Sequence, residues 1–280
     1  MSSLLTVKPT FETVTPTGQD DPFWSELTPI EVPQEQLLAC PALQLELREL
    51  IGEGAYGRVF KACEQADCRK VVKVQILPDN EAQNDFVKEA NFTSIASDND
   101  FGPRLFSACV TDGKRLFDLF TGRGRFSLVP LRDQPSIGLM VSELWDGSLE
   151  EIIADRAVWC ARSVFQALES RVARMHELGI VHADLLPKNV LYKHDQSGRI
   201  IDLIPTDFGV SFYATDFATF PVDWQFKLAQ YNLKNPNQPT WSAIEQTPRL
   251  RDVTWEDIQQ DPFLLDEPLL VQLRRMCIAQ

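Results

Sequence analysis

The stretch from Ile180 to Gly209 restricts the possible folds of this 280-residue chain more than any other. Its first part reads Ile180-Val181-His182-Ala183-Asp184-Leu185-Leu186-Pro187-Lys188-Asn189-Val190-Leu191, and its end reads Pro205-Thr206-Asp207-Phe208-Gly209. Short apolar runs flank a histidine, two aspartates, a lysine and an asparagine. Loop residues on a rigid scaffold are disproportionately catalytic or ligand-binding. The stretch therefore predicts a polar site that is supported by buried strands.

These residue types suit phosphoryl transfer. That reaction needs a group that orients the acceptor hydroxyl, ligands for magnesium and cations on the phosphates. Asp184 can accept or orient the hydroxyl, and Lys188 can reach the transferring phosphoryl group. Asn189 and Asp207 can hold Mg²⁺ through oxygen ligands. One short region thus predicts the acceptor, metal and phosphate contacts of such a site.

A glycine-rich segment lies between two predicted strands, residues 47–51 and 58–62. It reads Ile51-Gly52-Glu53-Gly54-Ala55-Tyr56-Gly57-Arg58-Val59. Gly52, Gly54 and Gly57 would let a tight turn bring backbone N–H groups close to phosphate oxygens. A dinucleotide-binding fold needs a helix after the glycines, whereas here a strand continues. The pattern therefore predicts a hairpin that folds over nucleotide phosphates.

Lys73 lies in a strand predicted over residues 70–75, among valines that alternate between the two faces. A lysine among buried valines is costly unless it is paired. Its best partner is Glu89, on a helix predicted over residues 81–94, and Glu81 and Asp85 on the same helix face are alternatives. The pattern predicts an ion pair between this strand and this helix.

Strands dominate the first half of the chain and helices the second. Runs at residues 104–110 and 137–144 complete a mostly antiparallel five-stranded sheet, and a long connector, residues 111–136, joins them. Arginine and lysine outnumber aspartate in this connector, so acidic partners are one interpretation of it and a solvated loop is the other. A capping box at Ser148 and Glu151 starts the helical half, and an apolar stripe predicts a core helix: Phe165, Leu168, Val172 and Met175.

The order of strands and helices divides the chain into three predicted segments. Residues 1–42 form an acidic arm rich in Thr and Pro, residues 43–144 a first lobe and residues 145–280 a second lobe. The arm carries Phe11, Phe23 and Trp24, which could dock onto the folded body.

Taken in order, these motifs resemble the eukaryotic-type protein kinase superfamily over roughly residues 47–233. The resemblance implies a bilobal α+β fold, with a five-stranded antiparallel N-lobe sheet plus one helix and a shortened, mostly helical C-lobe. It implies that Lys73 contacts the α- and β-phosphates of ATP, that Glu89 pairs with Lys73, and that Glu143-Leu144-Trp145 forms the hinge. The other ATP-site residues that it implies are Gly52, Gly54, Gly57, Val59, Val71, Ser142 at the gatekeeper position, Glu143, Trp145 and Leu191.

The chain departs from the family pattern in several places. The arginine before the catalytic aspartate is Ala183, and Leu186 replaces a lysine whose role Lys188 could take. No Ala-Pro-Glu follows, and Asp223-Trp224-Gln225-Phe226 resembles the start of the central C-lobe helix, which predicts an abbreviated activation segment. These features are similar to small atypical kinases, such as the kinase subunit of the KEOPS complex and kinases of large DNA viruses. Without the arginine that clamps a phosphate, we expect activity without phosphorylation of this segment.

Composition restricts the cellular compartment and the binding partners that we expect for this chain. No run approaches the length of a membrane span, and the first ten residues lack a signal-peptide pattern. A net charge of −13 and a pI near 4.7 argue against a general nucleic-acid or anionic-membrane binder. The six cysteines are scattered, which predicts free thiols in a reducing compartment. We expect a cytoplasmic protein, with a nuclear or virion-associated one as an alternative.

The combined expectation is an ATP- and Mg²⁺-dependent protein kinase that modifies a protein hydroxyl, with Ser or Thr favoured over Tyr. Two alternatives stay open. One is a pseudokinase or scaffold that binds ATP without transfer. The other is a small-molecule kinase of the aminoglycoside or choline phosphotransferase type, which shares the His-x-Asp, Asn and second Asp arrangement.

Overall fold

A computed structural model describes residues 40–54, 57–112, 136–153, 161–220 and 255–278. Five antiparallel strands come first along the chain: β1 (Glu46–Gly54), β2 (Gly57–Glu64), β3 (Asp67–Ile76), β4 (Leu105–Thr111) and β5 (Ile137–Glu143). Their order in the sheet is β1-β2-β3-β5-β4. The predicted five-stranded sheet is confirmed, and its first three strands extend beyond the predicted bounds.

One helix, α1 (Asn80–Asp98), packs on one face of the sheet. Asp79 caps its start, because the Asp79 carboxylate accepts from the backbone N–H of Ala82 at 2.9 Å. Phe86 is buried against β5, where a Cβ added to Gly138 would lie 2.5 Å from the Phe86 ring. The helix can approach β5 this closely because Gly138 has no side chain, and this approach places Glu89 over the sheet.

The opposite face of the sheet packs against the segment that precedes β1. A short 3-10 helix, Pro41–Gln44, lies there, and Cys40 and Ala42 are each only 3% exposed. These two residues belong to the end of the predicted arm, while residues 1–39 lie outside the described part of the chain.

The expectation of free thiols is wrong for four of the cysteines. Cys40 is disulfide-bonded to Cys109 on β4, and Cys63 to Cys68 across the β2–β3 hairpin. The first pair is 69 residues apart in sequence, and it forms because the segment before β1 folds back over the sheet. Spacing along the chain gives no sign of that approach. Cys160 and the side chain of Cys277 lie outside the described residues.

The second lobe begins with β6 (Gly147–Ser148) and α2 (Leu149–Ile152), where the backbone N–H of Ser148 donates to Glu151 as the capping box predicts. The longest helix in the described part of this lobe is α3 (Arg162–Glu177), which buries the whole predicted apolar stripe. Around α3 lie β7 (Ile180–Val181), β8 (Val190–His194), β9 (Ile200–Pro205) and β10 (Phe212–Tyr213). The strands form two small sheets, β6-β8-β9 and β10-β7.

Two helices end the described chain, α4 (Trp255–Gln260) and α5 (Glu267–Ile278). Leu269, Leu270 and Leu273 of α5 join the core of the second lobe together with α3. None of the helices in the described ranges has the length and hydropathy that a membrane crossing requires. The small strands and the helical core together fix the loops that carry the polar residues of the Ile180–Gly209 stretch.

Candidate active site

Lys73 lies at the centre of the site and joins the two lobes. Its Nζ atom is 2.5 Å from Glu89 Oε1 on α1 and 2.9 Å from Asp207 Oδ1, which follows β9. The structure thus places Lys73 against Glu89, and neither Glu81 nor Asp85 takes this position. One ammonium group bridges a helix of the first lobe and a loop of the second.

Burial and charge set the protonation of this cluster. Burial disfavours the Lys73 ammonium, but the carboxylates of Glu89 and Asp207 outweigh that effect and raise the pKa of Lys73. Burial likewise opposes ionisation of Asp207, and the contacts with Lys73 overcome it and lower the Asp207 pKa. Glu89 is only 4% exposed, and its burial raises its pKa despite the contact with Lys73. The Lys73 ammonium thus stays charged between the two carboxyl groups, and Asp207 is the more exposed of the two.

The structure describes the glycine-rich hairpin between β1 and β2 on both sides of its tip, and we call it the glycine hairpin. Gly54 pairs with Gly57, and Gly52 pairs with Val59, while Ala55 and Tyr56 lie outside the described residues. A Cβ added to Gly57 would lie 2.6 Å from the carbonyl oxygen of Val74 on β3, so Gly57 is required by strand packing alone. At Gly52 an added Cβ would make ordinary contact with Val59, so sheet packing does not account for this glycine.

Asp184, Asn189 and Lys188 converge on the loop after β7. The amide Nδ2 of Asn189 donates to the backbone carbonyl and to Oδ2 of Asp184, both at 2.8 Å. Lys188 Nζ lies 3.4 Å from the same Oδ2 atom. The other carboxylate oxygen, Asp184 Oδ1, is buried and has no hydrogen-bond partner among the described residues. Burial raises the pKa of Asp184, although Lys188 and Asn189 act against this shift.

Two residues of this site have left-handed backbone conformations that residues other than glycine seldom adopt. Ala183 has φ of 65° and Asp207 has φ of 63°. Such residues persist where surrounding contacts hold them, and they cluster at active sites. For Ala183 the contact is visible, because its backbone N–H donates to Asp266 Oδ1 at 2.8 Å.

Asp266 was missed by reasoning from the sequence. It is fully buried and accepts from the backbone N–H groups of His182 and Ala183, and Nε2 of His176 lies 3.0 Å from it. It directly precedes α5, which packs against α3. An acidic residue just before the apolar stripe of the last helix was the available signal.

This contact also corrects the end of the activation segment. Asp223, the predicted start of the central C-lobe helix, lies outside the described residues. In the described part of the chain, the aspartate that supports the catalytic loop is Asp266, and the helix behind it is α5. The interval between Gly209 and the supporting helix is therefore much longer than the abbreviated activation segment predicted from Asp223.

Arg171 is a second residue that sequence patterns did not single out. Its guanidinium group on α3 donates to the carboxylate of Asp202 and to the carbonyl of Leu203 on β9, and its Nε donates to the carbonyl of Asp100 after α1. Asp207 follows two residues beyond the end of β9. Arg171 therefore connects the end of α1 to the strand that leads into Asp207.

The hinge residues lie where β5 ends. Ser142 is half-buried, between Val71 of β3 and Leu105 of β4. The backbone N–H of Glu143 donates to the carbonyl of Arg104 at 2.9 Å, so this N–H group is not available to adenine.

A basic residue of β8 reinforces the hinge. Lys193 Nζ lies 2.6 Å from the Glu143 carboxylate and 4.3 Å from the ring centroid of Trp145. The Trp145 ring is buried, and Leu191 precedes Lys193 by two residues on the same strand. Glu143, Trp145 and Lys193 thus lie together at the junction of β5 and β8, and adenine binding there stays a prediction.

The segment after Gly209 packs beneath α1. Ser211 is fully buried and donates to the carbonyl of His182 at 3.2 Å. The Tyr213 ring contacts the Phe92 ring of α1, with centroids 5.3 Å apart. A 3-10 helix, Ala214–Thr219, follows. The segment thus contacts α1 through the Tyr213 ring and the loop after β7 through Ser211.

The residues fit a magnesium ion in the predicted place. Asn189 uses its amide nitrogen on Asp184, which leaves its side-chain oxygen for a cation, and Asp207 keeps a low pKa. No group of three or more His, Cys, Asp and Glu side chains that could hold a metal occurs among the described residues. A pair of protein oxygens is nevertheless usual for Mg²⁺, which keeps several waters and binds substrate phosphates.

Comparison with known families agrees with this geometry. A model of the protein kinase domain matches residues 45–220, which is more than half of the chain. The match covers the glycine hairpin, Lys73, Glu89 and the whole Ile180–Gly209 stretch. The chain therefore belongs to the protein kinase domain family.

Individual relatives are distant. The chain is 22% identical over 267 residues to a PAS domain-containing serine/threonine-protein kinase of Mus musculus, covering 88% of this chain and 18% of the relative. It is 29% identical over 198 residues to the mitogen-activated protein kinase kinase kinase bck1 of Aspergillus fumigatus, covering 69% of this chain and 11% of that protein. The chain is also 29% identical over 183 residues to CBL-interacting protein kinase 19 of Oryza sativa subsp. japonica, covering 61% of this chain and 30% of that protein. The chain thus spans less than a third of the length of each of these relatives.

Proposed function

We propose that this chain is an ATP- and Mg²⁺-dependent protein kinase that transfers the γ-phosphoryl group to a Ser or Thr hydroxyl of a protein. The observation that carries the proposal is the pair of complementary groups on the two sides of the cleft. Lys73 is held between Glu89 and Asp207, and one buried carboxylate oxygen of Asp184 has no hydrogen-bond partner among the described residues. Phosphoryl transfer requires of a protein a cation that binds the phosphates and a group that orients the acceptor hydroxyl.

Asp184 would receive the acceptor hydroxyl. Asn189 and Lys188 hold Oδ2, which fixes the carboxylate, while Oδ1 has no hydrogen-bond partner among the described residues and would take the O–H of an acceptor that reaches it. Burial raises the Asp184 pKa, and a more basic carboxylate is a better proton acceptor once it is ionised. Lys188 would also neutralise charge on the transferring phosphoryl group.

Lys73 would bind and orient the phosphates of ATP. Glu89 fixes the lysine side chain from α1, so Lys73 need not reorganise when phosphates arrive. Bound Mg²⁺ would neutralise charge on the phosphate oxygens, and Asn189 and Asp207 are the residues that would hold it. Gly52, which sheet packing does not require, leaves room for phosphates beside the backbone.

Phosphorylation of the activation segment is not required in this proposal. Two features support this view. The pair between Lys73 and Glu89 is formed in the unmodified chain, and the contact between Tyr213 and Phe92 holds α1 without a phosphate. Ala183 offers no guanidinium group to clamp one.

Two observations favour a Ser or Thr acceptor. The names of the mouse relative and of several others specify serine/threonine kinases, and Lys188 can take the place of the loop lysine of that class. The similarity to small atypical kinases stays a prediction, and so does docking of the arm on the folded body.

The test uses the purified full chain with γ-labelled ATP and Mg²⁺. Acceptors are a Ser/Thr peptide library, a Tyr peptide library, choline and an aminoglycoside. Asp207→Asn is the inactive comparison, and Glu150→Gln, an exposed change on α2, is the matched control. We expect label on Ser or Thr with wild type and with Glu150→Gln, none with Asp207→Asn, and none when EDTA removes the metal.

Other outcomes would replace the proposal. Label on choline or the aminoglycoside alone would make the chain a small-molecule kinase. Nucleotide binding without label on any acceptor, including the chain itself, would make it a pseudokinase. Label that appears equally with Asp207→Asn would show that this cleft is not the site.

A further inference from the structure

One exposed aromatic ring of the first lobe is flanked by two cations. Phe106 on β4 is 41% exposed. Lys70 Nζ lies 5.0 Å from its ring centroid, and Arg104 Cζ lies 5.1 Å from it. We call these three residues the Phe106 patch.

The charge of the patch comes mainly from Arg104. Lys70 forms an ion pair with Glu64, whereas Arg104 is exposed and forms no ion pair with any described residue. A guanidinium group over an aromatic ring favours a ligand that brings carboxylates and a further aromatic side chain. The patch therefore fits an acidic peptide with aromatic residues.

Such a peptide occurs in this chain. Residues 16–31 read Pro-Thr-Gly-Gln-Asp-Asp-Pro-Phe-Trp-Ser-Glu-Leu-Thr-Pro-Ile-Glu and contain no Lys or Arg. Asp20, Asp21 and Glu26 flank the aromatic pair Phe23-Trp24. We propose that this part of the N-terminal arm docks on the Phe106 patch of its own chain.

The place where the arm joins the fold makes this contact accessible. Cys40 is buried on the sheet face that carries Cys109, with Cα atoms 5.7 Å apart. Phe106 is three residues before Cys109 on β4, or roughly 10 Å along the strand. Sixteen residues lead from Trp24 to Cys40, and an unstructured chain of that length spans roughly 20 Å. The tether is long enough to reach the patch.

Tethering also makes a weak contact sufficient. A peptide joined by a short linker has an effective concentration in the millimolar range at its site. Even a low intrinsic affinity then gives a largely occupied patch. The proposal does not rest on kinase activity, because docking requires only the folded first lobe and the arm.

The patch adjoins the hinge. The carbonyl of Arg104 accepts from the N–H of Glu143, and the carbonyl of Arg69, next to Lys70, accepts from the N–H of Leu144. A docked arm would therefore lie against the strands that hold the hinge backbone.

The test places the photoreactive residue p-benzoylphenylalanine at position 106 of the full chain. Equal amounts of ¹⁵N-labelled and unlabelled protein are mixed and irradiated, and the cross-links are mapped by mass spectrometry. We expect cross-links from position 106 to residues 16–31 within chains of one isotope. The same probe at Ile201, exposed on β9 of the other lobe, should give none to the arm.

Two variants test the chemistry of the contact. Arg104→Glu should lower the yield of arm cross-links about fivefold, which is the size expected for loss of one exposed charge and cation–π contact. Arg162→Glu, the same change at an exposed site on α3, is the matched control and should leave the yield unchanged.

Each other result overturns the proposal. Cross-links that join labelled to unlabelled chains would show that the occupant is a second copy. Cross-links only to residues 113–135 would show that the connector covers the patch. Equal arm yield from positions 106 and 201, or from wild type and Arg104→Glu, would show contact without a specific site.

Discussion

The two halves of the active site are held by different forces. In the first lobe, Lys73 is fixed by carboxylates, Glu89 and Asp207, so its position depends on charge and on the approach of the two lobes. In the second lobe, the catalytic loop is fixed by Asp266, which accepts from backbone N–H groups and is fully buried. The first arrangement can change with ligand or lobe movement, whereas the second is part of the fold.

Because of this difference, we expect the largest loss of stability and activity from a substitution at Asp266. Asp266→Ala would leave the N–H groups of His182 and Ala183 buried without acceptors, and each such group costs about 1–3 kcal/mol. We expect a lower free energy of unfolding in urea, a reduced Tm and loss of all transfer activity. Glu150→Ala, at an exposed position of the same lobe, should change neither measurement. Wild-type stability of Asp266→Ala would remove the distinction between the two halves.

Lys73→Met should separate activity from folding. We expect phosphoryl transfer to fall by about 10²–10³, the typical loss for one preorganised electrostatic contact to the transition state. Stability should change much less, because burial already raises the Glu89 pKa and that carboxyl group can take up a proton. Lys70→Met on the same strand is the matched control and should remain active. A collapse of the Tm on Lys73→Met would mean that the ion pair belongs to the fold as Asp266 does.

The adenine end of the cleft gives a smaller effect. Ser142 is a small residue between Val71 and Leu105, so an ATP analogue with an N6-benzyl group should enter the wild-type site. A phenylalanine at this position should exclude the analogue at a cost of about 1–3 kcal/mol, yet keep ATP turnover. Paired titrations of wild type and Ser142→Phe with both nucleotides test this expectation. Equal affinity of the two proteins for the analogue would place the hinge elsewhere.

Treatment with a phosphatase should have the smallest effect. Ser211 is buried, and Tyr213 packs on Phe92 in the unmodified chain. Since Tyr213 contacts α1 and Ser211 is bonded to His182 without a phosphate, transfer activity should be the same before and after treatment. The readout is the initial rate on a Ser/Thr peptide, with mass spectrometry of Ser211, Tyr213, Thr215 and Thr219. A large loss that kinase autophosphorylation then restores would contradict the proposal.

Sequence alone predicted the parts of the molecule that have short-range signatures. Period-two alternation located the strands around Lys73, and an apolar stripe located α3. The glycine hairpin and the Ile180–Gly209 stretch indicated the site because their residue types occur at fixed, short spacings. The structure brings Lys73, Glu89 and Asp207 into one cluster, although they lie far apart along the chain.

Contacts between distant segments were not predictable in the same way. The bond between Cys40 and Cys109 and the support of the catalytic loop by Asp266 each join segments that share no periodic pattern. Asp223 was a plausible start of the supporting helix because it precedes a tryptophan, and only the fold shows Asp266 beneath the loop. Arg171 looked like an ordinary polar residue of α3 until β9 was placed beside it.

In the proposed mechanism, Asp184 accepts the hydroxyl proton during phosphoryl transfer. Its most direct test is Asp184→Asn in the full chain, with ATP affinity and the single-turnover rate measured on the same preparations. We expect nearly unchanged ATP affinity, because Asp184 is proposed to bind the acceptor and not the nucleotide, with a loss of about 10²–10⁴ in transfer rate. Wild-type turnover by Asp184→Asn would contradict it, and so would a variant that lost transfer only because it no longer bound ATP.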